Sequence, residues 1–311
     1  MNAKSLLRIL RLPTILLIGF SASNAVAADG TFDTSLTVDE PITLVVDTGS
    51  GSIDVRPGTG NEVTIHGEVR FNRRFFFSKP KNTDEMLRQL QDNPPVELSN
   101  GRLRVGHIED RDLRKRVSIS YEITVPASTE VRADSGSGSI TITDVAANVE
   151  ASAGSGSVTL QNIGGSVDAA TGSGSIRADG VAGAFTGDTG SGNIYLVQTA
   201  PGDVDVETGS GSSELKGVIG ALSAEAGSGS VKIDGQMAGD WNIDTGSGRV
   251  TISLPEDAAF DLDAEASSGG IDIDHPLTVE GRISPREIRG QVRGGGPLLK
   301  VDTGSGGIRI R

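Results

Sequence analysis

The chain contains no cysteine, which excludes a disulfide scaffold, a thiolate zinc site and a thiol nucleophile. Aromatics make up only 4% of the residues, with one Trp and two Tyr, so any core is aliphatic and thin. Cations are scarce as well: 28 Lys and Arg face 41 Asp and Glu, a net charge of −13. A chain this acidic is not a general nucleic-acid binder, because neutralising phosphates takes Lys and Arg. No HExxH, GxSxG or GKT/GKS pattern occurs, and His66, His107 and His275 lack metal-ligand spacing. What is present is 36% hydrophobic residues, enough for a core, and 43 glycines.

Residues 1–27 read as a signal peptide. Lys4, Arg8 and Arg11 form a basic start, Leu12 to Phe20 a short apolar run, and Ala25 and Ala27 an A-x-A cleavage site. Removing this leader, which holds three cations and no acid, takes the net charge to −16. No later run of about 18 apolar residues occurs. The mature chain, 28–311, is therefore expected to be exported and soluble, without a transmembrane segment. No cysteine follows the apolar run to take a lipid anchor.

An internal repeat dominates that mature chain. Segments reading GSGS-I or a close variant begin at Gly49, Gly136, Gly154, Gly172, Gly190, Gly209, Gly227, Gly246, Ser267 and Gly304. From Gly136 to Gly246 every step is 18 or 19 residues; the outlying steps of 87, 21 and 37 imply insertions. Aligned copies expose apolar columns in pairs two residues apart, such as Leu44/Val46, Val149/Ala151 and Trp241/Ile243 before the motif, and Ile53/Val55, Val158/Leu160 and Val231/Ile233 within it. A spacing of two is the strand period. Each repeat thus holds two short strands joined by a glycine corner. One repeat buries four or five apolar side chains at roughly 1.5–3 kcal/mol each. That does not offset about 1–2 kcal/mol of backbone entropy for each residue ordered, so the copies have to stack, in register and in parallel. Such connections are nearly always right-handed. The pattern predicts a right-handed parallel β-helix with rungs of about 18 residues, whose glycine corners are expected to supply φ > 0.

The largest insertion, 66–118, adds an α/β segment near the N-terminus. Asn82 to Asn93 reads as a helix with Asn82 as N-cap and Pro94-Pro95 as its stop. From Arg70 to Val117 there are twelve cations against seven acids. Arg70, Arg73, Arg74, Lys79 and Lys81 beside Phe75, Phe76 and Phe77 form a candidate patch for anionic polymer or lipid headgroups. The alternative is an end cap covering strand edges. The final strand, with Arg309 and Arg311 outward, is expected to blunt the other edge.

VVDTGS at Val45 to Ser50 imitates an aspartic-protease motif, but DTGS recurs at Asp188, Asp244 and Asp302 in one repeat column and so cannot pair across a cleft. That column is acidic in eight of ten copies, with Asp188, Glu207, Glu225, Asp244 and Glu265 as a run of five. Like charges about 5 Å apart repel by roughly 1 kcal/mol at high dielectric, so a benefit is required. Three are open: carboxylates capping corner N–H groups, solubility with edge protection, or a cation stripe.

The GSGS-I-x-I rungs, SYEITVPAS before the regular run, LPEDAAFDLDAEASSGGIDI, and the ending GGGPLLKVDTGSGGIRIR together resemble the bacterial exported β-solenoid family of putative adhesins, a domain of unknown function related to the autotransporter-adhesin head. The resemblance implies a non-enzymatic cell-envelope protein, adhesin-like or structural, with no cofactor and no established catalytic residue to carry over. An envelope protein or polysaccharide is the partner expected, along with self-association through solenoid edges. The expected location is the periplasm or envelope, with the cell surface or medium left open. The rival reading is a polysaccharide lyase or hydrolase on a β-helix scaffold. It needs aromatic sugar platforms, and the regular run offers only Trp241 and Tyr195 of those two residue types.

Overall fold

The structure, a computed structural model, describes residues 29–38, 41–71, 83–279 and 284–311. The signal-peptide reading and the Asn82 cap lie outside them.

Each repeat folds as its period dictates. In the Gly154 rung a leading strand, Val149–Ala153, enters the corner and a trailing strand, Val158–Ile163, leaves it. Leading strands pair only with leading strands, in parallel and in register: Ala151 lies between Ala133 and Ala169. Trailing strands do the same, with Leu160 between Ile142 and Ala178. Two parallel sheets therefore face each other across a dry interior, and the alternating columns fill it. Leu44, Val131, Phe185, Trp241, Ile140, Ile194 and Ile233 are all buried within one continuous cluster. The protein is a parallel β-solenoid.

The corners are glycine for a different reason from the one expected. Among the Gly-Ser-Gly corners only Gly269, in the irregular SSGG copy, has a positive φ. The left-handed residues sit instead at the opposite turn, where Asp144 and Asn162 (φ 54° and 53°) stack beneath Gly180 (φ 83°). At the corners the constraint is distance. A Cβ on Gly190 or Gly246 would lie 2.6 Å from the carbonyl oxygen of the equivalent glycine one rung away, and one on Gly138 would overlap the Gly51 carbonyl outright. Rungs spaced by about 4.8 Å leave no room for a side chain pointing along the stack.

Where the residue before a corner carries a hydroxyl, that buried group ties the corner down. Thr189 Oγ1 donates to Gly174 O at 2.9 Å and accepts from Gly192 N at 3.0 Å. Ser135, Thr171 and Thr208 repeat both bonds. Inward and carbon-backed, these side chains satisfy polar groups that the stack would otherwise bury unpaired.

At both ends the rungs depart from chain order. After the Gly246 rung the chain runs out to Phe260–Ser268 and Ile271–Ile273, then returns to place its last rung between the two. Trp241 pairs with Leu299, and Leu299 with Leu262. Val250 pairs with Ile308, and Ile308 with Ile271. The final strand, Ile308–Ile310, is therefore interior. This corrects the expectation that Arg309 and Arg311 blunt an edge: Arg309 instead reaches Asp272 at 3.7 Å and Asp274 at 3.8 Å on the neighbouring strand. The outermost rung is the Ser267 one, whose Ile271 and Ile273 are only half-buried, and an antiparallel strand, Glu287–Val292, closes its leading side.

The other end mirrors this. The first rung, Thr43–Thr48 and Ile53–Pro57, has the Gly136 rung on one side and strands of the insertion on the other: Arg102–Val105 against the first, Val117–Val125 against the second. Antiparallel strands Val96–Ser99, Glu62–Phe71 and Gly30–Thr37 continue outward. Helix α1 (Thr83–Asp92) buries Leu90. A helix that sequence reasoning missed, α2 (Arg111–Arg116, N-capped by Asp110), buries Leu113. The described residues of the insertion form an end cap.

Candidate functional site

Strand alternation places the acidic column on the outside of the leading face. The re-entrant last rung changes the order of that row, and the antiparallel strand beyond it lengthens the row by one. From Asp188 it runs through Glu207, Glu225 and Asp244 to Asp302, and only then to Glu265. The antiparallel strand adds Glu287 opposite Glu265. Seven consecutive strands thus present a carboxylate at one height. Asp302 meets Lys300 at 3.3 Å and Glu287 meets Arg289 at 3.6 Å. Among the described residues Asp188, Glu207, Glu225 and Asp244 pair with no cation. Where the column begins, burial and the charge of Asp47 push the pKa of Asp134 up.

The row does not cap the corners. Among the described residues no corner N–H bonds a carboxylate of the row; beside Asp188 and Glu207 that amide goes to the buried hydroxyl one residue further on, Thr189 or Thr208, which overturns the local-cap expectation. Strand alternation decides it: the carboxylates point out and the hydroxyls point in, toward the corner amides. Among the described residues no three His, Cys, Asp or Glu side chains gather as metal ligands would. Asp47, Asp188, Asp244 and Asp302 of the DTGS copies lie along one line, so no two of them face each other.

The trailing face is charge-balanced. Arg177 lies 4.1 Å from the ring centre of Tyr195, and Lys216 5.0 Å. Glu214 takes Lys232 and Lys216 at 3.1 Å each, and these hydrogen bonds hold its carboxyl below the usual range. Trp241 is fully buried and its indole N–H donates to Gly220 O at 3.0 Å. Both aromatics that a sugar-cleaving groove would use are occupied by the fold itself.

Of the proposed basic patch only Arg70 is described; it meets Glu68 at 3.2 Å. Arg73, Arg74, Phe75, Phe76, Phe77, Lys79 and Lys81 lie outside the described residues. The cap does present Arg102 and Arg104, both exposed, on its Arg102–Val105 strand.

A further feature escaped sequence reasoning. Tyr121 occupies a core slot that register partner Ile53, and Ile140 beyond it, fill with aliphatic side chains. It is 1% exposed, and its hydroxyl has no hydrogen-bond partner. Burial, reinforced by the Asp47 charge, raises its pKa, so the phenol stays neutral. Tyr121 also lines a hollow of about 110 Å³, together with Asp47, His107 and Arg114. A tyrosine in an otherwise aliphatic column was the available signal.

No curated protein matches the chain. Two solved structures are similar along most of their length. One is a putative cell adhesion protein of Clostridium sporogenes, 11% identical, covering 90% of this chain and 99% of its own, with a TM-score of 0.23. The other is a putative adhesin of Bacteroides fragilis, 12% identical, covering 91% and 98%, with a TM-score of 0.41. The family described as Toastrack DUF4097 matches residues 42–311, from the first rung through both caps to the last strand; the chain belongs to that family.

Proposed function

We propose that the protein is a non-enzymatic, exported cell-envelope rod that binds its partner, an envelope protein or polysaccharide, through its flat faces in the manner of an adhesin. The observation that carries this reading is the layout of its chemistry in rows. Reacting groups in an enzyme converge on a point; here the carboxylates run from Asp188 to Glu287 at rung spacing along one face. A row of that kind suits a long, cationic partner surface engaged at many weak points. The basic start and short apolar run in the sequence of residues 1–27 support export, and among the described residues no helix is long and apolar enough to cross a membrane.

Cosedimentation of the purified mature chain with isolated cell envelopes tests this. Saturable, salt-sensitive binding is expected. A variant combining Asp188→Asn, Glu207→Gln, Glu225→Gln and Asp244→Asn should bind about tenfold more weakly while melting no lower than the parent. Absence of saturable binding by the parent chain, or cleavage of envelope polysaccharide by it, contradicts the reading.

A further inference from the structure

A terminal strand of a sheet offers its unpaired amides and carbonyls to any other chain. Among the described residues this stack has four such strands, and three are blunted. The leading sheet closes at the capped end on Val96–Ser99, four residues directly after Pro94-Pro95. At the far end it closes on Leu277–Val279, three residues directly after Pro276. The trailing sheet closes there on Ile271–Ile273, also three residues, whose first amide bonds Pro285 O at 3.3 Å. The fourth strand has no such protection. Gly30–Thr37 is eight residues long, holds neither proline nor lysine, and pairs on one side only, with Glu62–Phe71.

Its register tells which groups are open. Val38 N bonds Asn61 O at 2.9 Å, which in this antiparallel pairing assigns the even residues to the neighbouring strand. Thr31, Asp33, Ser35 and Thr37 therefore turn their backbone outward. The Thr31 carbonyl accepts from Gln91 Nε2 at 2.9 Å. Among the described residues the backbone groups of Asp33, Ser35 and Thr37 have no partner.

We propose that two copies of the protein join end to end through this strand, antiparallel about a two-fold axis at Ser35. The strand is its own complement. In that register Asp33 faces Thr37 of the second copy, Ser35 faces its counterpart and Thr37 faces Asp33, so every open amide and carbonyl is used. Asp33 is the one charged residue of the strand, already held by His66 Nδ1 at 2.7 Å, and it meets no like charge. On the inner face Leu36, part-buried against the core, lies across from Thr34 of the second copy and adds a cross-strand contact. The contact is isologous and closes at two copies, giving a longer rod and not a fibre. A two-fold axis normal to the sheet keeps the outer faces on their own sides. The two acidic rows thus share one side of the doubled rod and engage a single partner surface together. The pairing itself stands on the edge alone, whatever the faces bind.

Sedimentation velocity of the full mature chain over a concentration series tests it. A reversible dimer is expected, with a dissociation constant on the order of micromolar because an edge contact is small. Ser35→Pro should weaken the dimer at least about tenfold. The Ser35 amide bonds nothing within the fold, so this variant should melt close to the parent. The register is read separately, since the chain has no native cysteine. Mild oxidation should link two copies of Ser35→Cys, whose paired Cα atoms lie about 5.5 Å apart. Thr37→Cys sets its thiols more than about 13 Å apart along the strands and should stay reduced. A parent chain that remains monomeric at every concentration, its edge left to a strand of another protein, overturns the proposal. So does a dimer unaffected by Ser35→Pro, or cross-linking of Thr37→Cys and not of Ser35→Cys.

Discussion

Close approach of one backbone to the next governs the corners residue by residue. Gly138 has the Gly51 carbonyl where its side chain would be, whereas Gly49 faces open space. Gly138→Ala should therefore push two rungs apart and strain the hydroxyl bonds of Ser135 to Gly51 O (3.1 Å) and from Gly138 N (2.8 Å). We expect a loss of about 3 kcal/mol in urea unfolding. Gly49→Ala, in the same motif, should cost less than about 0.5 kcal/mol. The need for glycine was legible in the sequence, but its cause was not. A left-handed turn and a backbone contact both select glycine, and the letters are the same for either. The capping roles were hidden similarly. Asp and Thr stand side by side in DTGS and either can bond a corner amide; the inward turn of Thr189 and the outward turn of Asp188 settle the matter.

Among the elements, the re-entrant last rung is the feature that sequence columns could not reveal. The 37-residue step announced an insertion. It could not say where the chain comes back, because every rung offers equivalent columns: Val301 packs beside Ile243 as well as Ala264 would. Interchangeable rungs make stacking legible and stacking order illegible. The consequence is measurable with two matched substitutions. Ile308 is 1% exposed with strands on both sides, so Ile308→Asp should abolish the folded circular dichroism signal by burying an unpaired charge. Ile273, half-buried on the outermost rung with one neighbour, Ile310, should tolerate Asp with a modest drop in melting temperature. A stack in chain order gives the opposite ranking, because the C-terminal strand would then be the exposed one. The caps were more readable: the break in period and the helix-forming stretch marked an insertion. Only α2, six residues among charges with Leu113 as its single buried side chain, carried too weak a pattern.

Over the whole rod the regular rungs are strongly acidic: residues 130–253 hold fifteen acids against five cations, whereas the described residues from Arg70 to Val117 hold eight cations against seven acids. The acidic row is legible as a column once the repeat is aligned, but its order follows only from the re-entrant rung, which inserts Asp302 between Asp244 and Glu265, and its last member, Glu287, only from the antiparallel strand. Tyr121 and its hollow depend on two distant segments meeting at the cap, which no local pattern announces.

That insertion is also the most direct test of the in-register stack. The chain has no native cysteine, so an engineered pair would be its only thiols. Asp244→Cys with Asp302→Cys sets two thiols on adjacent, register-matched strands about 4.8 Å apart, within disulfide range. Asp244→Cys with Glu265→Cys sets them on either side of an intervening strand, roughly 9.6 Å apart and beyond that range. Mild oxidation followed by a gel-shift assay should show the first pair cross-linked and the second still reduced. Cross-linking of the second pair and not the first would contradict the stack described here.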